Sequence, residues 1–361
     1  MSAANTASSS SSDGQEILLV KRPHGSPTPD IWQHQSYQPP SDIPSGHVLI
    51  KLKALSVDPY LRGVMRTAPL NAPLTIGVVA EVMESKNNNY KSGDLITGYA
   101  PMRTIQVIDP APFKSANLLD LVALGWTQVN KSSKLPVTAW LGAVGMPGRT
   151  AYFGLTDPAV GNLQSGQTVL ISGSAGAVGS LAGQIAKLRG AKRVIGTAGG
   201  KEKCAIAKQK YGYDEVIDYK ENNTKEKIQS ALKLVAPDGI DLYFDNTGGH
   251  VTEAVWDLLN SHAHVAICGQ ISSYNSDDGE EEKKASPLLS SLLWKCVTVR
   301  GFLVGEFSQK YSEFNEEIVP LAEQGKIQFD ETRYNGFQSV PEAFEGLFNG
   351  RNTGKAVVVL E

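Results

Sequence analysis

Between Glu16 and Pro112 the apolar positions come in short, partly alternating runs: EILLV, then HVLIKLKALSV after Pro44-Ser45-Gly46, then IGVVAEVMES, then DLITGY after Lys91-Ser92-Gly93. Short runs punctuated by turn-forming Pro and Gly predict an antiparallel β domain. From about Leu141 to Gly325 the rhythm changes. Strand-like runs at 168–172 (TVLIS), 193–197 (RVIGT), 215–218 (EVID), 240–245 (IDLYFD), 264–268 (HVAIC) and 297–304 (VTVRGFLV) are separated by segments with helical spacing. That spacing is clearest where Val178, Leu181, Ala182, Ile185 and Leu188 recur every three or four residues. Strand and helix in turn imply a parallel, doubly wound sheet. The stretch from Ile327 carries one more helix pattern, VPEAFEGLF, and a strand, KAVVVL, positioned to close back on the β domain. The fold class is therefore α/β with two domains. Residues 16–140, completed by 327–361, form the β domain, 141–326 form the doubly wound domain, and 1–15 are a disordered Ser-rich tail.

Composition bears on function more than on fold. The 361 residues, 41% of them hydrophobic, suffice for two cores. With 34 Lys and Arg against 37 Asp and Glu, no whole-molecule field draws the chain onto nucleic acid or an anionic membrane. Any anion it binds must be held by a local site. Cys204, Cys268 and Cys296 have no paired spacing for a zinc knuckle, a redox dithiol or a disulfide framework, so a reducing, cytoplasmic setting is expected. The Ser-rich start has neither the basic nor the apolar region of a leader, and no window approaches ~18 consecutive apolar residues. NSDDGEEEKKASP at 275–287 reads as a long exposed loop, acidic and hydrophilic from 277 to 284.

The first strand of the doubly wound half runs into Gly173, Ser174, Ala175, Gly176, Ala177, Val178 and Gly179 and then directly into a helix. Small residues let the backbone turn tightly against a pyrophosphate, and the helix N-terminus supplies free N–H groups and the positive end of a dipole. The strict G-x-G-x-x-G pattern is not met, because Ser174 replaces a glycine. Helix–sheet packing alone is the competing use of these glycines. Their place at the head of five more β-α steps favours a nucleotide. An NAD site usually has an acid about 20 residues after the first glycine. Here RVIGT leads instead into Ala198-Gly199-Gly200-Lys201-Glu202-Lys203. A lysine stabilises a 2′-phosphate that a carboxylate would repel, so NADP(H) is favoured, with Lys203 ahead of Lys201. The competing reading is two ordinary solvated lysines.

Metal and nucleophilic chemistry find little support. The N-terminal half up to Pro136 has no cysteine, and His24, His34 and His47 have no ligand neighbours, so no catalytic zinc is expected. His262 and His264 lack a third ligand and read as structural. No G-x-S-x-G elbow is present. Redox chemistry by a bound nicotinamide remains.

SVDPYLRG (56–63), GMPGRTAYFGL (145–155), AGAVGS (175–180), DNTGG (245–249), CGQISSYN (268–275), QGKIQ (324–328) and NTGKAVV (352–358) follow one another in order. From about Ile17 onward the chain resembles the zinc-free medium-chain dehydrogenase/reductases. Within them it is similar to the group of prostaglandin reductases (leukotriene B4 12-hydroxydehydrogenases), plant 2-alkenal double-bond reductases and bacterial curcumin reductase. The resemblance implies a GroES-like β domain beside a Rossmann domain, and hydride delivery from NADPH to the β-carbon of an α,β-unsaturated ketone or aldehyde. It also implies a homodimer. Tyr274 would donate to the carbonyl oxygen on which charge develops. Tyr60 would lie beside the substrate, shaping the pocket or donating a proton. Cofactor contacts would come from Met146 and Thr150 under the nicotinamide, Gly176, Ala177, Val178 and Gly179 at the pyrophosphate, and Lys203 and Tyr219 at the 2′-phosphate. Asn246, Cys268, Gly269 and Asn352 complete the set. The segment 277–284 departs from the proline-rich loop of the animal prostaglandin reductases, and its acids oppose a long fatty-acid substrate with its own carboxylate. A zinc-free NADPH quinone oxidoreductase and a non-catalytic NADPH-binding protein are the alternatives.

Overall fold

The computed structural model describes residues 14–112, 125–276 and 292–360; the Ser-rich run 1–13 and the acidic run 277–284 lie outside them. Gly14 and Gln15, assigned above to the tail, belong instead to the first strand, β1 (Gly14–Leu19), which pairs with β2 (Trp32–Tyr37). β3 (Val48–Ser56), β4 (Thr75–Ser85), β5 (Leu95–Pro101), β6 (Ile105–Ile108) and β7 (Thr127–Gln128) follow. Alternation does its ordinary work in β3, where Val48, Ile50 and Leu52 are buried and Lys51 and Lys53 are not.

The α/β half contributes β8 (Thr168–Ile171), β9 (Arg193–Ala198), β10 (Glu215–Asp218), β11 (Ile240–Asp245), β12 (Leu259–Ile267) and β13 (Thr298–Gly301). These pair in parallel in the order β10-β9-β8-β11-β12-β13. Every residue of β8 is buried, as expected of a central parallel strand covered on both faces. Val169 and Ile171 join the core built with helices Met146–Thr156, Gly179–Leu188 and Tyr311–Glu323, while Leu170 joins the opposite core with Lys225–Val235 and Gly249–Val255.

Two strand boundaries differ from the sequence reading. β12 starts at Leu259 rather than His264, continuing along β11 past a register shift, with His262 at φ 63°. The run 297–304 shortens to β13 because Val304 enters a 3-10 turn, Val304–Lys310, that stacks Phe307 on Phe153 at 5.0 Å.

β14 (Glu331–Asn335) and β15 (Lys355–Val359) leave the α/β half and join the first. β15 lies between β14 and β3, parallel to the former and antiparallel to the latter, in the seven-stranded sheet. That sheet is thus antiparallel except for one pair. Among the described residues no helix is long and apolar enough to cross a membrane.

Candidate active site

In a sheet of this order the chain leaves β8 and β11 toward opposite sides, opening a crevice at their carboxyl ends. The glycine turn and the Asn246 turn both emerge there. Gly173 has φ +66°, which a side chain would strain, and a Cβ on it would already touch Thr247 and Asn246 at 3.5 and 3.7 Å. A Cβ at Gly179 would run into the Gly173 carbonyl, so that glycine seats the helix on the turn. At Gly176 the neighbourhood is open apart from the Gly173 carbonyl at 3.3 Å, so its backbone can be approached closely. Ala177 and Val178 complete the turn into helix Gly179–Leu188. Ser174 is tolerated because its partner strand makes the room: its N and Oγ both donate to Thr197 O, and its side chain fills space that a Cβ on Gly196 would need.

The second turn is organised by Asp245, a residue that sequence reasoning did not single out. Its buried Oδ1 accepts from Ser172 Oγ (3.0 Å), Tyr243 OH (2.9 Å) and the N–H groups of Thr247 and Gly248 (both 2.9 Å), while Oδ2 accepts from Thr252 Oγ1 (2.7 Å). Its carbonyl accepts from the N–H groups of Cys268 and Gly269. One acid therefore aligns the Asn246 turn with the Cys268-Gly269 turn. Asn246 Nδ2 donates to Ser172 O at 2.7 Å, and Thr247 Oγ1 is left buried without a partner. Burial, with Asp245 nearby, pushes the Cys268 thiol up to about 12, so it is no thiolate nucleophile at neutral pH.

At the ends of β9 and β10, Lys203 is half-buried and donates to Gly350 O at 2.8 Å. Burial first, and the charge of Lys220 second, hold its pKa below 10.5. Lys220 was missed; its signal is the YK pair that follows EVID. Two lysines this near favour an anion between them. Lys201 instead pairs with Glu221 at 3.2 Å in the open. Tyr219 lies against Gly199, where a Cβ would strike its hydroxyl. Asp218 is occupied with the N–H groups of Gly200 and Lys220.

The segment from Gly350 to Lys355 closes on the glycine turn and on Lys203. Gly354 N donates to Ala175 O at 2.8 Å, and Asn352 Nδ2 donates to Gly354 O at 3.0 Å. Lys355, next along, is buried against Asp58 Oδ1 at 2.8 Å and Val57 O at 2.7 Å, and Asp58 also accepts from Ser56 Oγ. Asp58 stands two residues before Tyr60, whose hydroxyl is buried without a partner. Across the crevice, Tyr274 OH accepts from Gln270 N at 3.1 Å close to Gly269, and burial raises its pKa. Asn275 reaches Ser26 at 2.9 Å and Arg66 reaches Ser276 O at 3.3 Å, joining this loop to the β domain. Met146 opens its helix, where Thr150 Oγ1 donates to Met146 O at 2.8 Å.

The open backbone at Gly176, the unpartnered Thr247 hydroxyl and the paired lysines fit a phosphorylated dinucleotide laid along the crevice. Among the described residues no three of His, Cys, Asp and Glu are grouped as a metal site.

Residues 177–322 match the family described as zinc-binding dehydrogenase, and residues 15–115 match that described as the N-terminal domain of oxidoreductase. The chain is 35% identical to the NADPH-dependent curcumin reductase of Escherichia coli, over 94% of this chain and 95% of that one. It is 36% identical to a 2-alkenal reductase (NADP(+)-dependent) of Nicotiana tabacum, over 88% of each. CurA from Vibrio vulnificus, solved in complex with NADPH, superposes with a TM-score of 0.82 at 35% identity, over 96% of this chain and 99% of that one.

Proposed function

Since the chain belongs to the zinc-free medium-chain dehydrogenase/reductases and is an NADP(H)-dependent oxidoreductase of that family, we propose that it reduces the carbon–carbon double bond of α,β-unsaturated ketones and aldehydes. The observation that carries this reading is the Tyr274 phenol. It accepts a hydrogen bond from Gln270 N–H and has its own proton to give, beside the turns that suit a dinucleotide.

Bound NADPH supplies the hydride. Gly176, Ala177, Val178 and Gly179 would hold its diphosphate, Lys203, Lys220 and Tyr219 would hold the 2′-phosphate, and Met146, Thr150, Asn246, Cys268, Gly269 and Asn352 would surround the nicotinamide half. A raised pKa keeps Tyr274 protonated at neutral pH, so it donates to the substrate oxygen as negative charge grows there. Tyr60, whose phenol is held protonated by burial, stands on the substrate side. The bridges from Asn275 and Arg66 to the β domain help exclude water.

Tyr274→Phe should lower kcat for an enone about tenfold to a hundredfold, the worth of one hydrogen bond to a charged oxygen, with NADPH affinity nearly unchanged. Unchanged turnover would acquit this phenol. An NADPH-consumption screen with enals, enones and quinones, read by product mass, tests the function itself. A saturated carbonyl is expected. Hydroquinone alone would make the chain a quinone reductase, and quenched NADPH fluorescence without consumption would make it a binding protein.

A homodimer is part of the same reading. β13 is an edge strand, Val299 on it is 39% exposed, and Leu293 and Trp294 leading into it are 70% and 82% exposed. Trp294→Glu should shift the mass in light scattering from twice 38.7 kDa to a single chain. A native protein already at one chain mass would end that part of the proposal.

A further inference from the structure

Gln184 is a buried polar side chain in helix Gly179–Leu188, the helix that starts at the glycine turn. Its Nε2 donates to Ser180 O one turn back at 2.7 Å and to Gln328 O at 2.7 Å, while its Oε1 accepts from Gln328 N at 2.7 Å. Both sides of the amide are used, in the one orientation that two carbonyls and one N–H allow. Toward Gln328 the side chain copies a backbone unit, exchanging an N–H···O bond in each direction as paired strands do.

Gln328 belongs to the crossover between helix Tyr311–Glu323 and β14, by which the chain leaves the α/β half for the seven-stranded sheet. Two residues on, Asp330 is also held to the α/β half, its carboxylate accepting from Tyr211 OH at 2.6 Å and from Lys210 Nζ. Asp330 O accepts from Lys355 N at 2.9 Å. Beside that bond Gly354 has φ +65°, and a Cβ on it would run into Asp330 O, so only glycine lets the two segments come this close. Gly354 N in turn donates to Ala175 O at 2.8 Å, and Gly176 and Gly354 form an isolated parallel bridge. A ring is thereby closed: glycine turn, Gly354, Lys355, Asp330, Gln328, Gln184, and back along the helix to the turn. Ser174 keeps the turn on β9 separately, through Thr197 O. What depends on Gln184 is the hold of the C-terminal segment on the turn.

We propose that Gln184 is a positioning residue for NADPH: by fixing the crossover it keeps Asn352 and Gly354 closed on the glycine turn, and so tightens the dinucleotide without touching it. The inference rests on the reading of residues 176–179 as the diphosphate turn and adds the device that holds the facing segment in place.

Fluorescence titration of NADPH against variants tests it. Gln184→Met, which keeps the length and loses all three bonds, should bind NADPH about tenfold more weakly and raise its KM by about the same factor, with kcat at saturating NADPH within about twofold of native. Thermal unfolding without nucleotide reads any purely structural part. A lower melting temperature with native NADPH affinity overturns the proposal, and so does a kcat that falls in step with affinity. Gln184→Glu adds a sign. Its protonated form still donates to Gln328 O, whereas its carboxylate would face that carbonyl and Ser180 O, and burial among carbonyls raises the pKa of such a group. Its NADPH affinity should therefore lie near that of the native protein at about pH 6 and approach that of Gln184→Met at about pH 9. An affinity that keeps one ratio to native at both pH values overturns the proposal, also where Gln184→Met does not fold. Gly176→Val fills the open approach to the turn and should weaken NADPH about a hundredfold. Unchanged affinity there overturns the diphosphate turn and this inference with it, while a loss there and none in Gln184→Met removes Gln184 alone.

Discussion

Lys203→Glu should weaken NADPH about a thousandfold and leave NADH within a few-fold of its native affinity. The variant loses a charge-assisted bond of about 1.5–3 kcal/mol and sets a carboxylate against a phosphate, so a total near ~4 kcal/mol is a fair expectation. Lys220 remains in place, which keeps the loss from being greater. Fluorescence titration of both nucleotides reads the result, and equal losses would remove the phosphate from Lys203. Burial and Lys220 hold the lysine below its ordinary 10.5, so the preference for NADPH should decline with rising pH sooner than an exposed lysine would allow. Without nucleotide the sign for stability is opposite. The unfolded chain keeps this proton to higher pH than the folded one does, so the group makes folding more favourable as pH climbs toward 10.5.

Lys355→Met should destabilise the protein by about 3–5 kcal/mol, because it leaves Asp58 buried without its counter-ion. Asp58→Asn in the same chain should recover a good part of that loss, since the residual charge is then gone. Urea unfolding monitored by fluorescence checks both. A single variant that loses less than about 1 kcal/mol would show the pair to be dispensable. NADPH affinity should fall with it, because Lys355 directly follows the Gly354 N–H that bonds the glycine turn at Ala175.

These two residues also show where sequence reasoning stopped. The glycine run, the parallel strands and the helix Val340–Phe348 were legible because each is written in neighbouring residues. Buried parallel strands are short apolar blocks, and a dinucleotide turn needs small residues side by side. Asp58 and Lys355 are 297 positions apart, and nothing in either local pattern announces the other. Asp245 is visible only as the last letter of IDLYFD and the first of DNTGG; its role comes from Ser172 and Thr252 converging on it in space. Ser174 looked like a flaw in a motif until Gly196 on the next strand supplied the missing room. Helix Tyr311–Glu323 was missed since Pro320 and a run of acids blur its period.

The place of β15 has a consequence for biosynthesis. It separates β14 from β3, so the sheet begun by residues 48–56 lacks an inner neighbour until residues 355–359 have left the ribosome. The parallel sheet draws only on residues between 168 and 301 and can close earlier. The half made first is therefore finished last, and while translation continues the open edge of β3 is the surface a nascent-chain chaperone would have to shield.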